Sequence, residues 1–493
     1  MTKRGFCLLV LCLCSRAQQS TLYYPEQHWR TATPESQGLD SVALAAAVDE
    51  VRQKQLGVHS LLVIRHGYAV LDAYFYPFRP GTVHDLASVT KTMTSTITGI
   101  AVSHGVIKTD QPVLSFFPKE RPADADPQKQ QITIENLLHM ESGLDCGYAP
   151  GEVELEQMKR SPNWVQYALA LPMKYVPGKH SAYCSPGYHL LGSAIAAAAH
   201  ESELDFARKN LFDPLGIRDV QWTPDPQGRT HGWGDSHLYP EDVAKIGYLY
   251  LHGGQWKGKT IIPRDWIEQS TTPPAGERTA PGGLGMEWNA VNGPNGRQYG
   301  GTGRGGQTLL VWPDLDMIVV VTGGGNTGQM GALVRKPVQS ETAAPPSDPH
   351  VLESSVAKAL APPAAQSITA PPPIAAKISG KHYAFPINPS RIDSLAFTFR
   401  DKNEAHVDVE YLGEHLNFPI GLDGVYRVGP YGPLHLPAGA MGKWTSDTEF
   451  ALDLNFIANI NHYTMKLRFV GEGIEADVNE SSGLMRNGHL KSK

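Results

Sequence analysis

The chain has 493 residues, 41% of them apolar and 19% charged, with a formal net charge of -6. Such a length allows two to three domains and a substantial buried core, while the acidic balance argues against nucleic acid as a partner. No run is long and apolar enough to make a stable membrane span.

In chain order, Lys3 and Arg4, an apolar run over 6–13 and the small-x-small step Ser15-Arg16-Ala17 predict a cleaved secretion signal over residues 1–17. Leucine precedes both Cys12 and Cys14 where lipid attachment calls for a small residue, so a lipid anchor is disfavoured. Removing the signal leaves Cys146 and Cys184, an even pair in an oxidising compartment. Spacing alone leaves a disulfide and two separate buried thiols equally open. The expected location is periplasmic or secreted.

Asp40 caps a predicted helix over 41–56. Strands follow at 60–65 and 68–75, joined through His66-Gly67. Helical spacing over 88–104 puts Ser88 at a helix N-terminus. Residues 132–144 read as a turn, a short helix and a loop. A Pro186-Gly187 turn precedes a helix over 189–201, and glycines stop another over 241–254. Strands at 307–312 and 317–324 form a hairpin through Asp314–Asp316. From 336 to 376 Pro and Ala dominate, predicting a semi-rigid linker that holds one helix near 347–361. From 377 to 493 short alternating runs predict a separate all-β domain.

Three elements carry chemistry. Ser88 and Lys91, three apart, share one helix face, and a desolvated neutral lysine amine can take a serine proton. A second Ser-x-x-Lys at Ser355 and Lys358 lacks the apolar helix and the partner motifs, which shows how little the bare spacing means. Tyr183 in "AYCS" can act as base and then acid, its phenolate stabilised by a cationic neighbour; alone it reads more readily as a buried structural tyrosine. The glycine-rich run 299–306 allows a strand edge to approach a substrate and donate N–H groups to an oxyanion. Its G-x-G-x-x-G spelling leads into a strand, so a dinucleotide site is rejected. There is neither a G-x-S-x-G elbow nor an H-E-x-x-H pair, and "HGWGDSH" (231–237) reads as loop. No metal or cofactor is called for.

These elements in this order resemble the serine β-lactamase-related family, which includes class C β-lactamases, D-alanyl-D-alanine peptidases, family VIII esterases and 6-aminohexanoate-dimer hydrolase. "ITIENLLHMESGL", "LFDPLGIRDVQW" and "YPEDVAKIGYLYLHGGQW" extend the resemblance over residues 30–335. It implies an α/β (α+β) fold, with an antiparallel sheet flanked by helices, a helical subdomain, and the site between them. It maps the nucleophile to Ser88 and the proton-transfer groups to Lys91 and Tyr183. Substrate-binding and oxyanion positions map to Ser185, Gly301, Thr302, Gly303 and Arg304. Two departures stand out. Ser185 replaces the asparagine of the family's Tyr-x-Asn, losing two N–H donors. Gly301 replaces the cation of Lys-Thr-Gly. Arg304 is the candidate substitute cation, with an exposed surface arginine the equal alternative. The expected activity is acyl transfer from a small-molecule or peptide-like ester or amide. A true β-lactamase or D,D-peptidase, and a non-catalytic sensor, are the rivals.

Overall fold

The computed structural model describes residues 22–122, 126–147, 152–272, 286–293, 296–341, 343–345, 348–368, 370–388, 390, 392–399, 404–411, 413–432, 434–483 and 488–493. The expected signal, residues 1–17, lies outside them.

Asp40 starts helix α1 (Ser41–Gln53) by accepting the Val42 and Ala43 N–H groups on one carboxylate oxygen. Strands β1 (Val58–Arg65) and β2 (Tyr68–Tyr74) form the first hairpin, with His66 and Gly67 at positive φ in its turn. A 3₁₀ turn over Ala87–Val89 runs into α2 (Thr90–Ser103). The helix α3 (Ser185–Ala199) begins earlier than the sequence suggested. Pro186 and Gly187 lie inside its first turn rather than in a preceding turn. Proline is tolerated there because the first-turn N–H groups have no intrahelical acceptor. Helix α4 (Pro240–Leu251) and strands β3 (Gly296–Gly303), β4 (Gln307–Trp312) and β5 (Met317–Gly323) complete the frame.

The main sheet has seven strands in the order Arg30–Thr31, β2, β1, β5, β4, β3, Val291–Gly293. All pairs are antiparallel except the short outer one with β2. β1 and β5 are buried along their whole length, as strands covered on both faces must be. One face packs on α2, α4 and the helical subdomain through Leu62, Ile64, Met93, Ile97 and Val320. The other packs on α1 through Leu44, Val48, Leu61 and Val319. The helix Pro349–Leu360, expected within the linker, joins this second layer. Its Leu352 and Ala359 are buried there, and Ser355 donates to Asp49 Oδ2 at 3.0 Å.

The C-terminal region is all-β, as expected. Ten strands from His382–Ala384 to Gly488–Lys491 form one sheet with its own core around Phe397, Phe418, Phe450 and Leu467. Two of its strands matter below: β6 (Glu449–Asn455) and β7 (His462–Val470). The loop between them reaches a separate three-stranded sheet of short strands, Gln221–Trp222, Ser236–Leu238 and His84–Asp85, where Asp85 N–H donates to the Ala458 carbonyl at 2.8 Å. Among the described residues, no helix is long and apolar enough to cross a membrane.

Candidate active site

Ser88 sits in the 3₁₀ turn that feeds α2. The turn is held by Ala87, a non-glycine residue at φ 43°, whose N–H donates to Asp85 Oδ1 at 2.8 Å. A left-handed alanine persists only where its surroundings over-determine it, and such positions cluster at functional sites. One helical turn on, Lys91 is fully buried. Its Nζ donates to Ser88 Oγ at 3.1 Å and to the Trp233 carbonyl at 2.8 Å. Threonines of α2 fix the same 232–236 segment. Thr94 Oγ1 donates to the Gly232 carbonyl at 2.8 Å, and Thr90 Oγ1 lies 2.7 Å from Ser236 Oγ. The "HGWGDSH" run is a loop only as far as Asp235, and that part seats the lysine; Ser236 and His237 open a short strand, Ser236–Leu238, paired with His84–Asp85.

Tyr183 OH donates to Ser88 Oγ at 2.6 Å, and Lys91 Nζ lies 4.7 Å from the centroid of its ring. The tyrosine is positioned by the start of α3 and by the 138–146 segment. Ala182 N–H donates to the Met140 carbonyl at 2.8 Å and Tyr188 OH to the Leu138 carbonyl at 3.0 Å. Cys146 and Cys184 are joined by a disulfide across 38 residues.

Ser88, Lys91 and Tyr183 therefore meet in one cluster. The glycine run meets it too. Gly303 has an ordinary extended backbone (φ -142°, ψ 162°), yet a Cβ there would fall 3.0 Å from Ser88 N and 2.7 Å from the Leu86 carbonyl oxygen. The strand edge thus passes directly before the Ser88 N–H. A Cβ on Gly301 would instead fall 2.6 Å from the Thr92 methyl. The side-chain space that a cation at position 301 would need is taken by α2. Thr302 is exposed, paired across the ladder with Thr308.

Two expected substrate contacts are engaged elsewhere. Ser185 is buried, and its hydroxyl donates to the Glu152 carboxylate. The Arg304 guanidinium donates to the Ser482 hydroxyl of the C-terminal sheet, so its side chain is tied across the two sheets.

The charge states differ from the sequence expectation of a neutral lysine. Burial pulls the Lys91 ammonium down, but Tyr183, Glu152 and Glu287 outweigh it and leave its pKa above the ordinary lysine value. Burial raises the Tyr183 phenol, with Lys91 opposing and Glu287 and Glu152 reinforcing. Lys91 Nζ and Tyr183 OH are both directed at Ser88 Oγ. Glu152 and Glu287 are acidic neighbours of the pair that no motif marked. Burial pushes the Glu287 carboxyl up to about 7 against the pull of Lys91. Glu287 is held by a left-handed backbone (φ 65°), beside Trp288 stacked 3.7 Å from Tyr250. A lone acid inside the apolar run "GMEWNAV" was its only signal in the sequence.

The family model described as Beta-lactamase matches residues 44–344. The 6-aminohexanoate-dimer hydrolase of Paenarthrobacter ureafaciens is 24% identical over 306 residues, covering 57% of this chain and 76% of that protein. Esterase EstB of Burkholderia gladioli is 28% identical over 211 residues, covering 38% of this chain and 53% of the esterase, about half its length. Among solved structures, one from Bacillus anthracis assigned as a 6-aminohexanoate-dimer hydrolase superposes with a TM-score of 0.50 at 16% identity, covering 68% of this chain and 87% of that one. At that identity the likeness speaks to the fold.

Proposed function

The chain belongs to the beta-lactamase family, and on that premise we propose that it cleaves an ester or amide through an acyl-enzyme on Ser88. The observation that carries the reading is the convergence of Lys91 Nζ and Tyr183 OH on Ser88 Oγ in front of a glycine strand edge.

In this mechanism the Tyr183 phenol first releases its proton to solvent, at a cost that the Lys91 ammonium lowers, and the phenolate then takes the Ser88 proton as Oγ attacks the carbonyl carbon. The oxyanion is met by the N–H of Ser88 and an N–H of the Gly303–Arg304 edge. Tyr183 then returns the proton to the leaving group, and water releases the acyl group by the reverse sequence. These steps draw only on side chains and backbone of the chain.

We assign small esters and linear amides, rather than β-lactams, as the substrate class. Ser185 spends its hydroxyl on Glu152, Thr92 fills the space beside Gly301, and Arg304 is bonded to Ser482. Among the described residues, positions 185, 301 and 304 therefore offer neither the amide donors nor the free cation that would hold a β-lactam's side chain and carboxylate. Losing one charge-assisted hydrogen bond costs roughly ten- to a hundredfold in rate or affinity. Short p-nitrophenyl esters should be cleaved readily and nitrocefin slowly. A kcat/KM for nitrocefin equal to or above that for p-nitrophenyl butyrate would overturn this assignment. The basic-apolar N-terminus and the Cys146–Cys184 bond support action outside the cytoplasm, since disulfides persist in oxidising compartments.

A further inference from the structure

The C-terminal sheet touches the chain on both sides of the oxyanion donors, at Asp85 before Ser88 and at Arg304 and Gly305 after Gly303. The β6–β7 loop, residues 456–461, lies between the chain entering the nucleophile turn and the chain leaving the oxyanion strand. On the entry side, Asp85 is fixed from three directions. Its N–H donates to the Ala458 carbonyl at 2.8 Å, its carbonyl meets His84 Nδ1 at 2.7 Å, and its Oδ1 accepts from Ala87 N–H at 2.8 Å. That last bond holds the left-handed Ala87 immediately before Ser88. Asn459 Oδ1 lies 2.6 Å from Nε2 of His237, the residue paired with Asp85 across the short sheet.

On the exit side, Ile460 is fully buried and fills the space over Gly305. A Cβ on Gly305 would fall 2.2 Å from Ile460 Cγ2. Gly305 lies at φ 76°, two residues past Gly303, and its carbonyl accepts from Gly325 N–H at 3.1 Å. The neighbouring Ser481 hydroxyl donates to the Gly324 carbonyl, and Ser482 holds Arg304. One loop of the distant sheet thus contacts both sides of the gap in which a substrate carbonyl oxygen would sit.

We propose that the 456–461 loop is a positioning element of the active site, setting the distance between the Ser88 N–H and the Gly303–Arg304 edge. The proposal rests on the Ser88 acyl-enzyme reading and adds to it a role for the all-β region. The principle is that a donor helps catalysis only where it is aimed at the developing oxyanion. Displacements of about 1 Å caused far from the chemistry can cost on the order of a hundredfold. Ala458 supplies the rigid carbonyl, Asn459 the link to His237, and Ile460 the packing against Gly305. None of them reaches the reacting atoms.

The test uses the full-length protein with Ile460→Ala, Asn459→Ala and the conservative Ile460→Val. Active sites are counted by fluorophosphonate labelling. Steady-state cleavage of p-nitrophenyl butyrate is compared with binding of phenylboronic acid, whose tetrahedral adduct on Ser88 places an oxygen between the donors. The expected result is a ten- to hundredfold fall in kcat per labelled site for the two alanine variants. Boronate affinity should fall in parallel, KM should change less than about threefold, and Ile460→Val should retain activity. A kcat per labelled site equal to wild type in both alanine variants overturns the proposal. So does a loss that tracks only the number of folded, labelled sites. If Ile460→Ala does not fold, Asn459→Ala carries the same comparison. Failure of the wild-type enzyme to label on Ser88 would instead overturn the acyl-enzyme reading.

Discussion

Replacing Gly303 by alanine adds one methyl group at the point where the strand edge meets the nucleophile. The backbone there is extended, so alanine brings no conformational strain of its own. The new Cβ would stand 3.0 Å from Ser88 N, 2.7 Å from the Leu86 carbonyl oxygen and 3.1 Å from Ala87 Cβ. Two of those neighbours are backbone atoms of the nucleophile turn, which Asp85 and Ser236 pin through the Ala87 and Leu86 N–H groups. The methyl must therefore push the strand outward or block the Ser88 N–H. Either way about one oxyanion donor is lost, which costs on the order of 10²–10³ in kcat. Initial rates on p-nitrophenyl butyrate, normalised to labelled sites, measure this, with thermal unfolding as the control for folding. Gly301→Ala is the internal comparison. Its Cβ strikes the Thr92 methyl and no reacting atom, so Thr92→Ser should rescue it, whereas nothing on α2 can rescue Gly303→Ala. A Gly303→Ala enzyme within about threefold of wild type would refute the placement of the oxyanion donors.

Three further outcomes are expected. Lys91→Ala and Tyr183→Phe should each cost nearly as much as the double variant, because both groups converge on Ser88 Oγ and act as a unit; multiplicative losses in kcat would show independent roles. Glu287→Gln removes a negative charge that holds both Lys91 and Tyr183 up, so the alkaline-rising limb of the kcat/KM profile should move to lower pH; a limb that stays or moves up contradicts the electrostatic account. Glu203 is fully buried, and burial raises its carboxyl to about 8. A raised acid binds its proton more tightly folded than unfolded, so its contribution is complete below the unfolded value and is lost as pH rises toward 8. At about 1.4 kcal/mol per unit this is several kcal/mol at most. Thermal unfolding of Glu203→Gln across that range should therefore fall less steeply than that of wild type, and identical slopes would refute it.

The sequence carried the parts of this site that are local. Ser88 and Lys91 lie on one helical turn, and the glycine run announces a close backbone approach. Tyr183 was legible through the motif around it. What the sequence could not convey was pairing at long range. Arg304 read as a candidate substrate cation because its partner, Ser482, lies 178 residues away. The Lys91 pKa moves up where burial alone would lower it, because Glu152 and Glu287 reach it from segments without a motif. Pro186 and Gly187 read as a turn because their composition favours one, yet Cys184 caps a helix in front of them and accepts from Gly187 N–H at 3.2 Å. Alternation revealed the strands of the C-terminal sheet. It reports which faces are buried and not what the connecting loops touch, so the contact of residues 456–461 with the nucleophile turn emerged only from the fold.

Turnover through an acyl-enzyme requires that Ser88 itself becomes acylated. Rapid acid quenching of the enzyme with excess p-nitrophenyl butyrate, followed by peptide mass analysis, addresses it directly. One butyryl group is expected, on the peptide carrying Ser88 and absent from Ser88→Ala. A butyryl group on the peptide carrying Ser355, or full turnover by Ser88→Ala, would contradict it.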